Sequence, residues 1–192
     1  ERNTGASAIR RKLRYHGETM KKRGIVSTIL FVLLFLIGLS VMLYPTVSDF
    51  LNSISQSRSI DGYKNDVALM NRQDYEEIFE EARKYNDDLR INNARFQPTE
   101  EDTEEYNAIL DVGGTGIMGY IEIPKINVYL PIYHGVGKNV LEIGVGHIEG
   151  SSFPVGGTGT HAILSGHRGL PSSLLFTDLD KLQKGDVFLL HI

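Results

Sequence analysis

The sequence predicts a mainly β chain, a barrel or sandwich of short strands preceded by a membrane-spanning helix and a polar helical stretch. Three observations predict it. Gly24 to Tyr44 is a run of 21 residues without a charge; residues 46–111 set apolar side chains at helical spacing among charges; and from Gly113 onward short β-type runs alternate with Gly and Pro. The 192 residues have room for one compact domain plus extensions.

The apolar run comes first. About 20 residues at ~1.5 Å rise cross a hydrocarbon core of ~30 Å. A cleaved signal peptide has a shorter apolar core and a small-residue cleavage site, and Met42-Leu43-Tyr44-Pro45 is no such site. A buried core helix of this length would show a polar face. The flanks orient the span. Residues 1–23 carry eight Lys/Arg, ending in Lys21-Lys22-Arg23, against Glu1 and Glu18, a balance of +6, whereas the rest of the chain balances at −10. Basic residues stay on the cytoplasmic side, so 1–23 reads as a cytoplasmic tail, 24–44 as the transmembrane helix and everything beyond as extracellular. A basic arm could instead bind nucleic acid, but its place against the span makes it a topology signal, and no nucleic-acid partner is expected.

Residues 45–111 form the next region. Leu69, Tyr75, Ile78, Phe79, Ala82 and Tyr85 recur at helical spacing, with Asp74 a candidate cap. Asn92-Asn93 and Gln97-Pro98 interrupt the pattern. Glu100 to Glu105 opens a second short helix running into Tyr106, Ile109 and Leu110, its acids suited to a helix N-terminus rather than to a Ca²⁺ ion.

The β-type region, 112–192, begins at a Gly113-Gly114/Gly116 hinge. Met118–Ile123 alternates up to Pro124. Val128–Tyr133 follows, with Pro131 marking it as an edge or bulged strand. His161–Ser165 reads as a short buried strand, Leu170–Leu182 holds a short helical piece, and Val187–Leu190 is a further strand. There is no cysteine, which removes disulfides, thiolate metal sites and thiol chemistry from these residues. The conspicuous reactive groups are therefore His134, His147, His161, His167 and His191. They lack metal-ligand spacing, and no metal or cofactor is expected. His134 and His147, beside glycines, fit turns. His167, in Ser165-Gly-His-Arg-Gly169 between a strand and a loop, is the candidate working histidine, because an imidazole titrating near ~6.5 can give and take a proton in turn.

These blocks resemble a family. Met118-Gly-Tyr-Ile-Glu-Ile-Pro-Lys-Ile126, Leu130-Pro-Ile-Tyr-His-Gly135, Gly144-Val-Gly-His-Ile-Glu-Gly-Ser-Ser-Phe-Pro-Val-Gly-Gly157, Ser165-Gly-His-Arg-Gly-Leu-Pro171 and Leu175-Phe-Thr-Asp-Leu-Asp-Lys-Leu182 stand in the order found in sortases, in the variant of the pilin-polymerising class C enzymes. The resemblance implies an eight-stranded sortase-type β-barrel, incomplete here, on a membrane-anchored cysteine transpeptidase. It implies a thiolate that attacks the Thr–Gly bond of an LPxTG-like sorting signal on one pilin, and a lysine amine of a second pilin that resolves the acyl-enzyme. His167 matches the family's catalytic histidine. The cysteine and the oxyanion-steadying arginine are expected beyond Ile192, and Arg168 is not that arginine. The chain as given is then expected to be inactive, with open barrel edges that invite aggregation. Where the class carries an Asp-Pro-aromatic lid plug, this chain offers Phe96-Gln97-Pro98, with acids beginning only at Glu100. A sortase-shaped, non-catalytic membrane-tethered scaffold is the alternative from another class; the intact Gly166-His167-Arg168 favours the enzyme.

Overall fold

A computed structural model describes residues 4–192, with side chains from Ile25 onward. The side chains of the basic tail, 1–23, thus lie outside the described residues. The chain forms two compact units divided after Pro45. A single helix, α1 (Thr4–Ala68), contributes to both.

The first unit is helical. From Ile25 to Leu43 its apolar side chains stay uncovered, Phe31 at 70% and Phe35 at 68% exposure. Among the described residues, the helix from Ile25 is the one long and apolar enough to cross a membrane. A helix with this much uncovered apolar surface is a candidate membrane anchor or signal sequence.

In the second unit, α1 runs on to Ala68, and α2 (Arg72–Ile91) and α3 (Glu100–Ala108) follow. Both later helices start on reciprocal caps. The Asn71 side chain accepts from the N–H groups of Gln73 and Asp74, and Asp74 accepts in return from the Asn71 N–H. Asp74 is therefore the third-position partner, and Asn71 is the cap. Thr99 and Asp102 repeat the device at α3, and the hydrogen bonds from Thr99 hold the Asp102 carboxyl below its usual range. That fixes one of the acids as a capping group.

The sheet runs β4-β3-β2-β1-β7. Its strands are β1 (Ile117–Ile123), β2 (Val128–His134), β3 (Val145–His147), β4 (Leu164–Ser165) and β7 (Leu189–His191). β5 (Arg168–Leu170) and β6 (Ser173–Leu175) form a separate two-stranded ribbon. Alternation along β2 explains the layering. Val128, Leu130 and Ile132 point into a core shared with Ala82, Tyr106, Ile109 and Phe153, so α2 and α3 cover that face. Tyr129 and Tyr133 point to the opposite face, where Ile60, Tyr63 and Val67 of α1 pack with Ile117 and Tyr120. A register break between Ile117 and Gly119 lets the β1 side chains serve both layers.

Two backbone details close the core. Gly119 lies so near β7 that an added Cβ would fall 2.3 Å from the His191 carbonyl oxygen, which excludes any side chain. The buried Asn86 amide of α2 acts as a surrogate peptide: it donates to the Phe153 carbonyl at 3.1 Å and accepts from the Phe153 N–H at 2.7 Å.

Several expectations are corrected. The described chain is not mainly β: the 65 residues of α1 alone outnumber those of all seven strands, and these residues form an open sheet rather than a closed barrel. β2 is central, not an edge. Pro131 is tolerated because its carbonyl faces Gly144, so its missing N–H also points to that side, where pairing with β3 begins only at Ile132. Within 161–165 only Leu164 and Ser165 are strand, and they are half-buried. The short helical piece expected within Leu170–Leu182 is present as one 3₁₀ turn at Leu179–Lys181, after the ribbon strand Ser173–Leu175.

Candidate functional site

The structure sorts the histidines by what their ring nitrogens meet. His134 and His147 do not occupy turns. They end β2 and β3 and are paired across the parallel ladder. Both are buried. His134 sets Nε2 at 2.8 Å from the Ile109 carbonyl oxygen and Nδ1 at 3.1 Å from that of Gly116. The His147 Nε2–H donates to the Ser152 carbonyl at 2.8 Å, with Ser151 Oγ at 3.1 Å. Its Nδ1 and its own carbonyl oxygen each lie 3.0 Å from the Tyr106 hydroxyl. Burial pushes the His147 pKa down to about 4 and raises that of Tyr106, so a neutral imidazole accepts from a protonated phenol. These rings hold the fold and have no free nitrogen to offer a reactant.

His191 stacks on Tyr120 with ring centroids 4.2 Å apart, its Nε2 3.4 Å from the Glu122 carboxylate. His161 is exposed, and its backbone, rather than its ring, is bonded to Ser152.

His167 is different. It sits between β4 and β5, half-buried, and its imidazole makes no hydrogen bond or ion pair among the described residues. Its backbone, by contrast, is fixed. The Phe176 N–H donates to the His167 carbonyl at 3.1 Å. Phe176 itself is buried in the main core. Gly166 runs against the Phe176 ring so closely that an added Cβ would lie 2.7 Å from it. Glycine at 166 is thus a steric requirement of the approach to His167.

The ribbon pairs Arg168 with Leu175 and Leu170 with Ser173. Gly169 takes φ +78°, and its N–H donates to Thr177 Oγ1. Leu175 is a buried leucine at φ 37°, a left-handed conformation costing about 1–2 kcal/mol. Such strain concentrates at functional sites, where the surroundings over-determine it. Arg168 reaches Asp180 at 3.1 Å, but both side chains are more than 60% exposed, so the pair contributes little.

The outer side of the ribbon meets α1. Asn52 Nδ2 donates to the Ser172 carbonyl at 2.7 Å, the Leu174 N–H donates to Asp49 Oδ1 at 2.8 Å, and Gln56 Nε2 lies 3.3 Å from Ser173 Oγ. A cleft of about 280 Å³ opens between this helix face, β2 and β6. Sequence reading missed these helix residues. They lie more than a hundred residues from their partners, and the only local signal is three polar side chains spaced three and four apart. Among the described residues, no group of three or more His, Asp and Glu could hold a metal ion.

An imidazole with both nitrogens uncommitted, on a backbone fixed from two sides, is suited to proton transfer with a bound reactant. Comparison with known proteins gives the family. The sortase domain matches residues 121–192. Sortase C1 of Streptococcus agalactiae superposes with a TM-score of 0.68 at 48% identity, covering 70% of each chain. Sortase C of Streptococcus pneumoniae gives a TM-score of 0.58 at 38% identity, covering 70% of this chain and 68% of that one. Sortase D of Bacillus subtilis (strain 168) is 43% identical over 68 residues, 35% of this chain and 31% of that protein. The chain therefore spans about a third of the length of this curated relative. This chain belongs to the sortase family.

Proposed function

We propose that this chain is the anchor and histidine-bearing part of a class C cysteine transpeptidase that joins pilin subunits, with His167 as its proton shuttle. The carrying observation is the uncommitted His167 imidazole on a fixed ribbon, in a chain 48% identical to a sortase C1. The nucleophile is not among these 192 residues, which include no cysteine. The reading assigns it, with an oxyanion-steadying arginine, to sequence following Ile192.

The chemistry runs in two halves. The thiolate attacks the threonine carbonyl carbon of an LPxTG-like signal, a C–S bond forms, and the bond to the glycine nitrogen breaks. His167, protonated, donates to that leaving amine. A lysine amine of a second pilin then attacks the thioester, gives its proton to the now neutral imidazole, and the thiolate departs. Atoms and charge balance without a metal or cofactor.

The domain scheme of the same reading is a cytoplasmic tail at 1–23, a span at 24–44, an extracellular helical region at 45–111 and the catalytic domain at 112–192. Support for the span is the uncovered apolar surface from Ile25. Protease added outside intact cells is expected to cut beyond residue 45 and spare a tag on the N-terminus; the reverse pattern would contradict this orientation.

The test of function uses the full-length gene product with its thiol. His167→Ala is expected to lower pilin cross-linking by about 10²–10⁴-fold, the range for a positioned acid–base group, without loss of folding. The second reading is a sortase-shaped membrane scaffold without a thiol. Unchanged cross-linking in His167→Ala would refute the role assigned to that imidazole, and a full-length gene product without any cysteine would transfer the conclusion to the scaffold.

A further inference from the structure

We infer that the polar face Asp49–Asn52–Gln56 of α1 holds the outer edge of the β5–β6 ribbon and so positions His167; the inference rests on His167 being the working imidazole. Residues three and four apart fall on one helix face. These three reach successive groups of one target. Asn52 takes the turn through the Ser172 carbonyl, Asp49 takes the Leu174 N–H at mid-strand, and Gln56, itself buried, meets Ser173 Oγ at 3.3 Å while also donating to the Ile143 carbonyl at 3.0 Å.

The ribbon needs such a partner. Two strands alone are marginally stable in water. The register pairs Ser173 and Leu175 with β5, so the Leu174 N–H between them points outward, to an edge with no strand beside it. The Asp49 carboxylate occupies that place. Leu175 anchors the inner side of the strand in the core, but the Leu174 side chain is 59% exposed and adds no buried contact at this outer edge.

The grip reaches the imidazole through the backbone. β6 ends at Leu175, and the next N–H, that of Phe176, donates to the His167 carbonyl. If β6 slid or frayed, that bond and the pairing of Arg168 with Leu175 would go together. Asp49, Asn52 and Gln56 touch no reactant in this scheme. They are positioning residues, and Asp49 stands only five residues beyond Tyr44, the end of the uncharged run.

The experiment uses the full-length protein in lipid nanodiscs, comparing Asp49→Ala, Asn52→Ala and Asp49→Asn, which keeps an acceptor oxygen. Amide exchange at Leu174 and Phe176 is read beside the kinetics. Asp49→Ala is expected to quicken both amides and to lower kcat about tenfold to a hundredfold with KM little changed, as for a displaced catalytic group. Asp49→Asn should restore both readouts. Should Asp49→Ala fail to fold, Asn52→Ala carries the same comparison. Unaltered Phe176 exchange, an Asp49→Asn variant as impaired as Asp49→Ala, or undiminished kcat despite faster exchange would each overturn the inference. His167→Ala, run alongside, separates the two claims. If it abolishes turnover while Asp49→Ala does nothing, positioning alone fails. If His167→Ala retains turnover, the proposed function fails, and the exchange data still decide whether the helix holds the ribbon.

Discussion

The His134/His147 pair and the His167 ribbon use the same side chain for opposite ends. At His147 each ring nitrogen is engaged, by Ser152 and Ser151 on one side and Tyr106 on the other, inside an aromatic stack with Phe153 at 5.3 Å between centroids. At His167 the backbone is held and the ring is left uncommitted. Burial alone does not separate a histidine that holds the fold from one whose ring is left uncommitted, as the proposed role of His167 requires. What its nitrogens already bind does.

The widest separation between the two regions should appear in stability. His147→Ala leaves the Ser152 carbonyl and the Tyr106 hydroxyl without their partner and opens a cavity, a loss of about 3–5 kcal/mol. His167→Ala, which breaks no hydrogen bond of the fold, should stay within about 0.5 kcal/mol. Urea denaturation of the full chain in detergent measures both; equal losses would erase the distinction.

Acid should sharpen it. The native pKa of His147 is about 4, against 6.5 for the free imidazole. Between those values the unfolded chain binds a proton that the folded chain refuses, so stability rises with pH. The contribution is complete above about 6.5 and is lost progressively down to about 4, a span of roughly 3 kcal/mol. His147→Gln should flatten that slope, and a slope that persists unchanged would assign it to other groups.

A smaller effect is expected at Gly166→Ala. Its new methyl meets the Phe176 ring at 2.7 Å, and overpacking of this kind costs about 1–3 kcal/mol. Because the strain falls beside His167, turnover should drop more than stability does, which kinetics and denaturation of the same variant would show. Smallest of all, Arg168→Ala breaks only an exposed ion pair with Asp180 and should change stability by less than about 1 kcal/mol. A larger change would mean that the ribbon depends on that pair.

Much of the layering was legible in local pattern. The alternation through Met118–Ile123 and Val128–Tyr133 marked both long strands, and the apolar spacing of Tyr75, Ile78, Phe79, Ala82 and Tyr85 marked α2, although Leu69, read into the same pattern, lies before it. The misreadings share one cause, a tertiary neighbour that outweighs the local signal. Pro131 reads as an edge marker until the late start of β3 pairing is known. His134 and His147 read as turn residues until Tyr106, Ile109 and Phe153 close over them. The chain was expected to be mainly β because strands are punctuated by Gly and Pro, whereas the helical residues, more numerous, lie outside that stretch. At the site, local pattern brought His167 forward as a candidate and family likeness supplied its role. The grip of Asp49, Asn52 and Gln56 was invisible, since nothing near residue 50 announces a partner near residue 173.

The Asn86 amide, clamped to both polar groups of Phe153, has a mechanical consequence. It works as a fixed pivot near the end of α2, so this helix cannot lift away from the core without breaking two buried bonds at once. Any opening on that side is left to the short Asn92–Pro98 connection, where Phe96 is already 56% exposed. Slow amide exchange around Asn86, against faster exchange over Asn92–Pro98, would be the signature of that pivot.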